Sequence, residues 1–193
     1  MHPAKTLVIL IMSLVISACS TSHFAVKPSD AEGVSLKGTE LYVYSFLDVR
    51  ESFFGPNLLL EFSKQLSSNL NNLGVSTKIS SFKETEVGKY YINTNADTVI
   101  PAQQAIAKNE SIEKLYDTEN RLIIFPSKMT INQAVISYEI RWELVDAKTG
   151  KIIWSTMSEG LHMNAWVPDE DPQPRAKKIV DAIITEMQRN RMI

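Results

Sequence analysis

The stretch AVISYEIRWELVDAKTGKIIWSTMS, residues 134–158, decides the fold. Ala134, Ile136, Tyr138, Ile140, Trp142 and Leu144 alternate with Val135, Ser137, Glu139, Arg141, Glu143 and Val145. Successive side chains of a strand point to opposite faces, so this pattern predicts an antiparallel strand with one face in a core and one in water. Glu139 and Glu143 flank Arg141 on the face expected to be wet, where such pairs are screened and contribute under about 1 kcal/mol. Asp146-Ala147-Lys148-Thr149-Gly150 then reverses the chain, Gly150 supplying the positive φ of a bulged turn. The return strand, residues 151–158, buries either Ile152 and Trp154 or the opposite set.

Working outward, residues 40–48 (ELYVYSFLD) read as a strand with Leu41, Val43 and Leu47 on one side and Tyr42, Tyr44 and Phe46 on the other. Apolar residues on both faces predict a strand covered on both, or covered on one and used for contact on the other. A loop, residues 49–55, leads to a helix opened by Pro56, whose missing N–H costs nothing at a first helical position. Leu58, Leu59, Phe62, Leu66, Leu70 and Leu73 form its stripe, and Gly74 ends it. Residues 75–79 form a short strand. Residues 80–95 read as a short strand or a packed loop, 101–116 as a helical zone in one piece or two, and 121–125 as a buried strand ended by Pro126. Residues 175–192 form an amphipathic helix with Ala176, Ile179, Val180, Ile183, Ile184 and Met187 on one stripe. Asp169, Glu170 and Asp171 precede it, suited to the positive end of its dipole. The expected class is α/β (α+β): a four- or five-stranded mixed sheet with helices packed on it, a closing hairpin and a C-terminal amphipathic helix.

Composition narrows the function. Hydrophobic residues make up 44% and charged residues 22% of 193, enough for a core, and the net charge of −2 argues against a nucleic-acid partner. Of the three histidines only His162 falls within the folded region, and it reads as a surface or loop histidine. No HExxH, CxxC, GxGxxG, P-loop or GxSxG pattern occurs. No catalytic residue, metal ligand or cofactor site is therefore assigned, and the chain is expected not to be an enzyme. Candidate partner-binding residues are Phe53 and Phe54, adjacent aromatics in the loop before Pro56, and Trp166, in an acidic, proline-rich loop; buried aromatics dominate many protein interfaces. Packing of one phenylalanine onto the following helix, and of the tryptophan against the sheet, are the structural alternatives.

At the N-terminus Lys5 precedes TLVILIMSLVIS, residues 6–17, followed by Ile16-Ser17-Ala18-Cys19 at its close. The apolar run is far shorter than the roughly 20 residues that span a bilayer. This arrangement resembles the lipobox of bacterial lipoprotein signal peptides, which implies cleavage before Cys19 and diacylglycerol on its thiol. An ordinary secretory leader cut after Ala18 and a short uncleaved anchor are the alternatives, but lipidation accounts better for the only cysteine of an exported chain. Ser20 after the cysteine, where aspartate is absent, resembles the outer-membrane sorting choice. The organisation expected is a signal peptide over 1–18, a lipidated cysteine and flexible tether over 19–38, and a periplasmic domain over 39–193. A tether of that kind spans roughly 25 Å on average and about 60 Å at most.

Lipobox, element order and the hairpin with Asp146, Thr149, Gly150 and Trp154 together resemble small envelope lipoprotein domains. These include the periplasmic part of the curli secretion channel, the outer-membrane activators of penicillin-binding proteins and the N-terminal domain of the Tol–Pal translocation protein. A D-x-x-T-G-x-x-x-W hairpin also recurs in β-propeller blades, but one copy does not make a propeller. The chain has no spare strand pairs for a transmembrane barrel and no tether long enough to cross the periplasm, so no binding residues carry over. The resemblance implies a lipid-anchored protein on the periplasmic face of the outer membrane, binding another envelope protein or itself without enzymatic activity. The alternative is a carrier or sensor of a lipid, glycan or peptidoglycan fragment.

Overall fold

Alternation at residues 135–145 yields a central strand of a six-stranded mixed sheet. The computed structural model describes residues 22–29, 33–83, 119–132, 135–163 and 171–193. The strands are β1 (Ser22–Val26), β2 (Glu40–Ser45), β3 (Ser76–Ser81), β4 (Asn120–Asn132), β5 (Val135–Asp146) and β6 (Ile152–Met163). A 3-10 turn, Leu47–Arg50, leads into the one-turn helix α1 (Glu51–Phe54); α2 is Pro56–Asn72 and α3 is Pro172–Arg189. The spatial order is β1-β6-β5-β4-β2-β3, with β2 parallel to β3 and β4 and all other neighbours antiparallel. The α/β class is as expected, with six strands among the described residues rather than four or five. The helical zone expected at 101–116 lies outside the described residues.

The extra strand comes from the segment expected to be a tether. Ser22–Val26 pairs antiparallel with β6 from His162 to Ser158, and Phe24 and Val26 pack against the core. Their period-two spacing is what a half-buried strand needs. The flexible-tether reading is thus corrected for these residues.

The main core lies between one sheet face and the pair α2 and α3. Leu58, Leu59, Phe62, Leu66 and Leu70 of α2 are buried, as are the six stripe residues of α3. They meet Leu41, Val43, Leu122, Ile124, Ile140, Trp142 and Leu144 from the sheet. Each such side chain contributes about 1.5–3 kcal/mol through its lost apolar exposure. Trp142 is wholly buried, and its Nε1–H donates to Ser158 Oγ at 2.9 Å, so the indole leaves no unpaired donor. Asp171 caps α3 by accepting from the Gln173 backbone N–H at 3.2 Å, so the helix begins three residues before the expected 175.

The opposite face carries a second core. Tyr42, Tyr44, Phe46, Val49, Phe82, Ile123, Phe125 and Val145 are buried together, and Phe46 stacks on Phe82 and Phe125 with centroids 4.7 and 5.3 Å away. The strand at 40–45 is therefore covered on both faces, one of the expected alternatives. The face of β5 expected to be wet is wet only in part. Ser137, Glu139 and Arg141 are half-buried, whereas Val145 joins the aromatic cluster and Glu143 is buried beside Arg141 at 3.5 Å. Burial raises the Glu143 pKa against the pull of Arg141, so this is not a screened surface pair.

Two further expectations are corrected. Pro126 does not end its strand: a bulge between Pro126 and Lys128 absorbs the missing donor, and β4 runs on to Asn132. Ile152 and Trp154 do not share a fate. A bulge at Leu144/Val145 pairs Trp154 with Leu144 and Ile152 with Val145, burying the tryptophan and leaving Ile152 48% exposed. The turn itself is as expected. Gly150 has φ +70°, and Asp146 Oδ1 accepts from the Lys148 and Thr149 backbone N–H groups at 2.9 and 2.7 Å. Those bonds hold the Asp146 carboxyl below its ordinary pKa.

Candidate functional site

The residues singled out in the sequence do not converge. Cys19 and Trp166 lie outside the described residues. Phe54 is buried in α1 and meets the Tyr138 ring edge-on at 5.1 Å, and Phe53 is half-buried against the same core. The two phenylalanines therefore staple the segment before α2 onto the sheet. The exposure that their nomination as partner-binding residues required is missing for Phe54. His162 is also not a surface or loop histidine: it lies in β6 with its side chain buried, on the same side as Ser158 and Gly160. Among the described residues no group of three His, Cys, Asp or Glu side chains is placed to hold a metal ion. Likewise, no helix among them is long and apolar enough to cross a membrane.

What the structure does assemble is a fixed entry of the chain into the domain. Ser29, just after β1, donates from both its backbone N–H and its hydroxyl to Glu186 Oε1 of α3, at 2.8 and 2.7 Å. Arg189 reaches the same carboxylate with Nε at 2.9 Å and Nη2 at 2.6 Å, and donates to the Ser29 carbonyl at 2.7 Å. Asn190 Nδ2 adds a bond to Glu186 Oε1 at 3.0 Å, while Trp154 Nε1 donates to Ser29 Oγ at 2.8 Å. Burial of Glu186 by itself raises its pKa. The donors from Arg189, Ser29 and Asn190 outweigh that and bring it down to about 2. Thr156 Oγ1 donates to the Lys27 carbonyl at 2.7 Å, completing the seam.

A polar surface lies on the wet half of the outer sheet face. One row across the strands holds Ala25, Glu159, Glu139 and Lys128. Glu139 and Glu159 stand directly opposite each other, which is unfavourable unless cations are near. Lys27 bridges Glu159 and lowers its pKa, and Lys128 approaches Glu139 at 3.9 Å. An open cavity of about 420 Å³ sits here, with Thr130, Ser137 and Leu161 on its wall. Next to it Gly160 performs a steric task. A Cβ at this position would fall 2.1 Å from Cζ of Tyr138, so only glycine lets that ring cross β6 towards Phe24. A second, shallower groove of about 660 Å³ runs between β1 and α3, lined by Phe24, Val26, Lys178, Asp181, Ala182 and Thr185. The sequence signal for the entry seam was slight: a serine after Pro28 and a glutamate inside an amphipathic helix carry no motif.

No protein-family model matches the chain, and no curated protein sequence matches it. Among solved structures, the chain is similar to the PelC dodecamer from Paraburkholderia phytofirmans, at 9% identity and a TM-score of 0.45, over 86% of this chain and 98% of that one. Lipoprotein GNA1162 from Neisseria meningitidis matches at 14% identity and a TM-score of 0.42, over 78% and 99% of the two chains. The hypothetical protein CT253 from Chlamydia trachomatis matches at 12% identity and 0.40, over 80% and 93%.

Proposed function

We propose that this chain is a lipoprotein of the bacterial outer membrane, held by lipid on Cys19, whose periplasmic α/β domain is a non-enzymatic binding or assembly module for another envelope protein or for a second copy. The observation that carries the reading is the Ile16-Ser17-Ala18-Cys19 motif behind a short apolar run, followed within three residues by the first strand of a folded domain. Of the nominated aromatics Trp166 keeps its role as an anchor for the partner; Phe54 does not. The wet half of the outer face, with its paired lysines and glutamates, is the polar ground on which a partner or a charged ligand would register. The carrier reading, of a lipid, glycan or peptidoglycan fragment, finds support in the open cavity beside Glu139 and Glu159, where Tyr138 and Leu161 stand among charged side chains.

The anchor is tested by Cys19→Ala. This variant is expected to lose incorporation of labelled palmitate and to accumulate as uncleaved precursor or as protein released from membranes. Palmitate retained in the variant refutes the anchor, and a clear inner-membrane peak for the unaltered protein on a density gradient refutes the sorting role of Ser20.

A further inference from the structure

We infer that the domain rests directly on the bilayer through one end of its sheet, the end where β1 begins, so that its occupant there is a lipid surface. This rests on the proposal that Cys19 carries lipid. Only Ser20 and Thr21 separate Cys19 from Ser22, the first residue of β1. Three extended peptide steps reach about 11 Å, against about 60 Å for a free tether of residues 20–37. The strand is not free to extend that reach. It is held by five paired residues on β6, by Phe24 and Val26 in the core and by the Ser29–Glu186–Arg189 seam.

The register says which end is held. Ser22 pairs with His162, His162 with Ile136 and Ile136 with Ile131, so the four residues form one row across four strands. Among the described residues of these strands, only Met163, Val135 and Asn132 lie beyond that row. The β5–β6 turn at Asp146–Gly150 is at the other end of the strands, roughly 35–40 Å away at about 3.3 Å per residue. Leu161, 39% exposed on the outer face one residue in from the Ser22 row, is an apolar side chain placed to meet the headgroup region.

The experiment uses the full lipidated chain in vesicles of phosphatidylethanolamine and phosphatidylglycerol containing nitroxide-headgroup lipid. Because the lipid occupies the only native thiol, Asn132→Cys and Lys148→Cys each give a single fluorophore site at opposite ends of the sheet. Quenching is expected to be several-fold stronger at 132 than at 148. A flexible Gly/Ser insert between Thr21 and Ser22 should abolish the difference while flotation with the vesicles persists. Equal quenching at both sites, or stronger quenching at 148, overturns the docking and leaves the lipid anchor standing. Failure to acquire lipid overturns the anchor and the docking with it. Thr130→Cys and Lys151→Cys repeat the comparison should either first variant misfold by circular dichroism.

Discussion

The two faces of the sheet bury their side chains by different rules. On the helix-covered face the apolar set is mainly aliphatic, with Trp142, Trp154, Tyr138, Phe54 and Phe62 among it, and it extends across the sheet from Phe24 on β1 to Ile79 on β3. On the other face, burial is largely aromatic and is concentrated on β2, the first half of β4 and the flanking Phe46 and Phe82, giving way to Lys128 late in β4 paired with Glu139 on β5, and Glu159 on β6 paired with Lys27 just after β1. A helix-covered face must be apolar along every strand it touches. A half-covered face can change character from one strand to the next, and β5 changes within its own length, from half-buried Glu139 to buried Val145.

Truncation breaks or sharpens this contrast. Trp142→Ala removes the central side chain of the first face, and Phe46→Ala removes the stacked ring of the second. Each is expected to cost about 3–5 kcal/mol in urea denaturation, because both side chains are fully buried. A loss below about 1 kcal/mol for Phe46→Ala would mean that the second face is not a core.

Glu186→Gln is expected next, at about 2–3 kcal/mol near neutral pH, since it removes the charge that Arg189 and Ser29 are arranged around. The sign follows from the depressed pKa. The stabilisation is complete above the ordinary glutamate value of 4.5 and is lost as pH falls towards about 2, where the carboxylate protonates in the fold as well. The gap between the two proteins should therefore narrow through that window, and a gap independent of pH would show that the seam is not held by charge. The smallest effect belongs to Glu139→Ala on the wet half, within about 0.5 kcal/mol, measured by the same melts. A cost like that of Trp142→Ala would place Glu139 in a covered site.

Much of this was legible in the sequence where one period dominates. The stripes of α2 and α3 and the inward set of β5 are dictated by periodicity and are buried as that periodicity requires. Legibility failed where a neighbour decides. SHFAV has strand alternation, but five residues flanked by polar chain and Pro28 do not form a strand without the β6 edge to receive them. Pro126 reads as a stop unless the bulge that accommodates it is known. Glu143 reads as exposed unless the aromatic cluster beyond Arg141 is in view. Phe53 and Phe54 looked like a contact surface because the sequence does not show Tyr138 waiting across the sheet.

The seating of β1 also decides how the domain can be produced in soluble form. Trimming the chain at residue 39, where a tether would have ended, removes the strand that covers β6 together with Ser29, leaving the Glu186–Arg189 pair without its third member. The five residues of β6 that β1 pairs, from Ser158 to His162, would then present open backbone donors and acceptors to any passing strand, the arrangement that natural sheets avoid because it templates aggregation. A form that begins at Ser20 keeps that stretch of the edge closed, so β1 also serves as the domain's guard against self-adhesion.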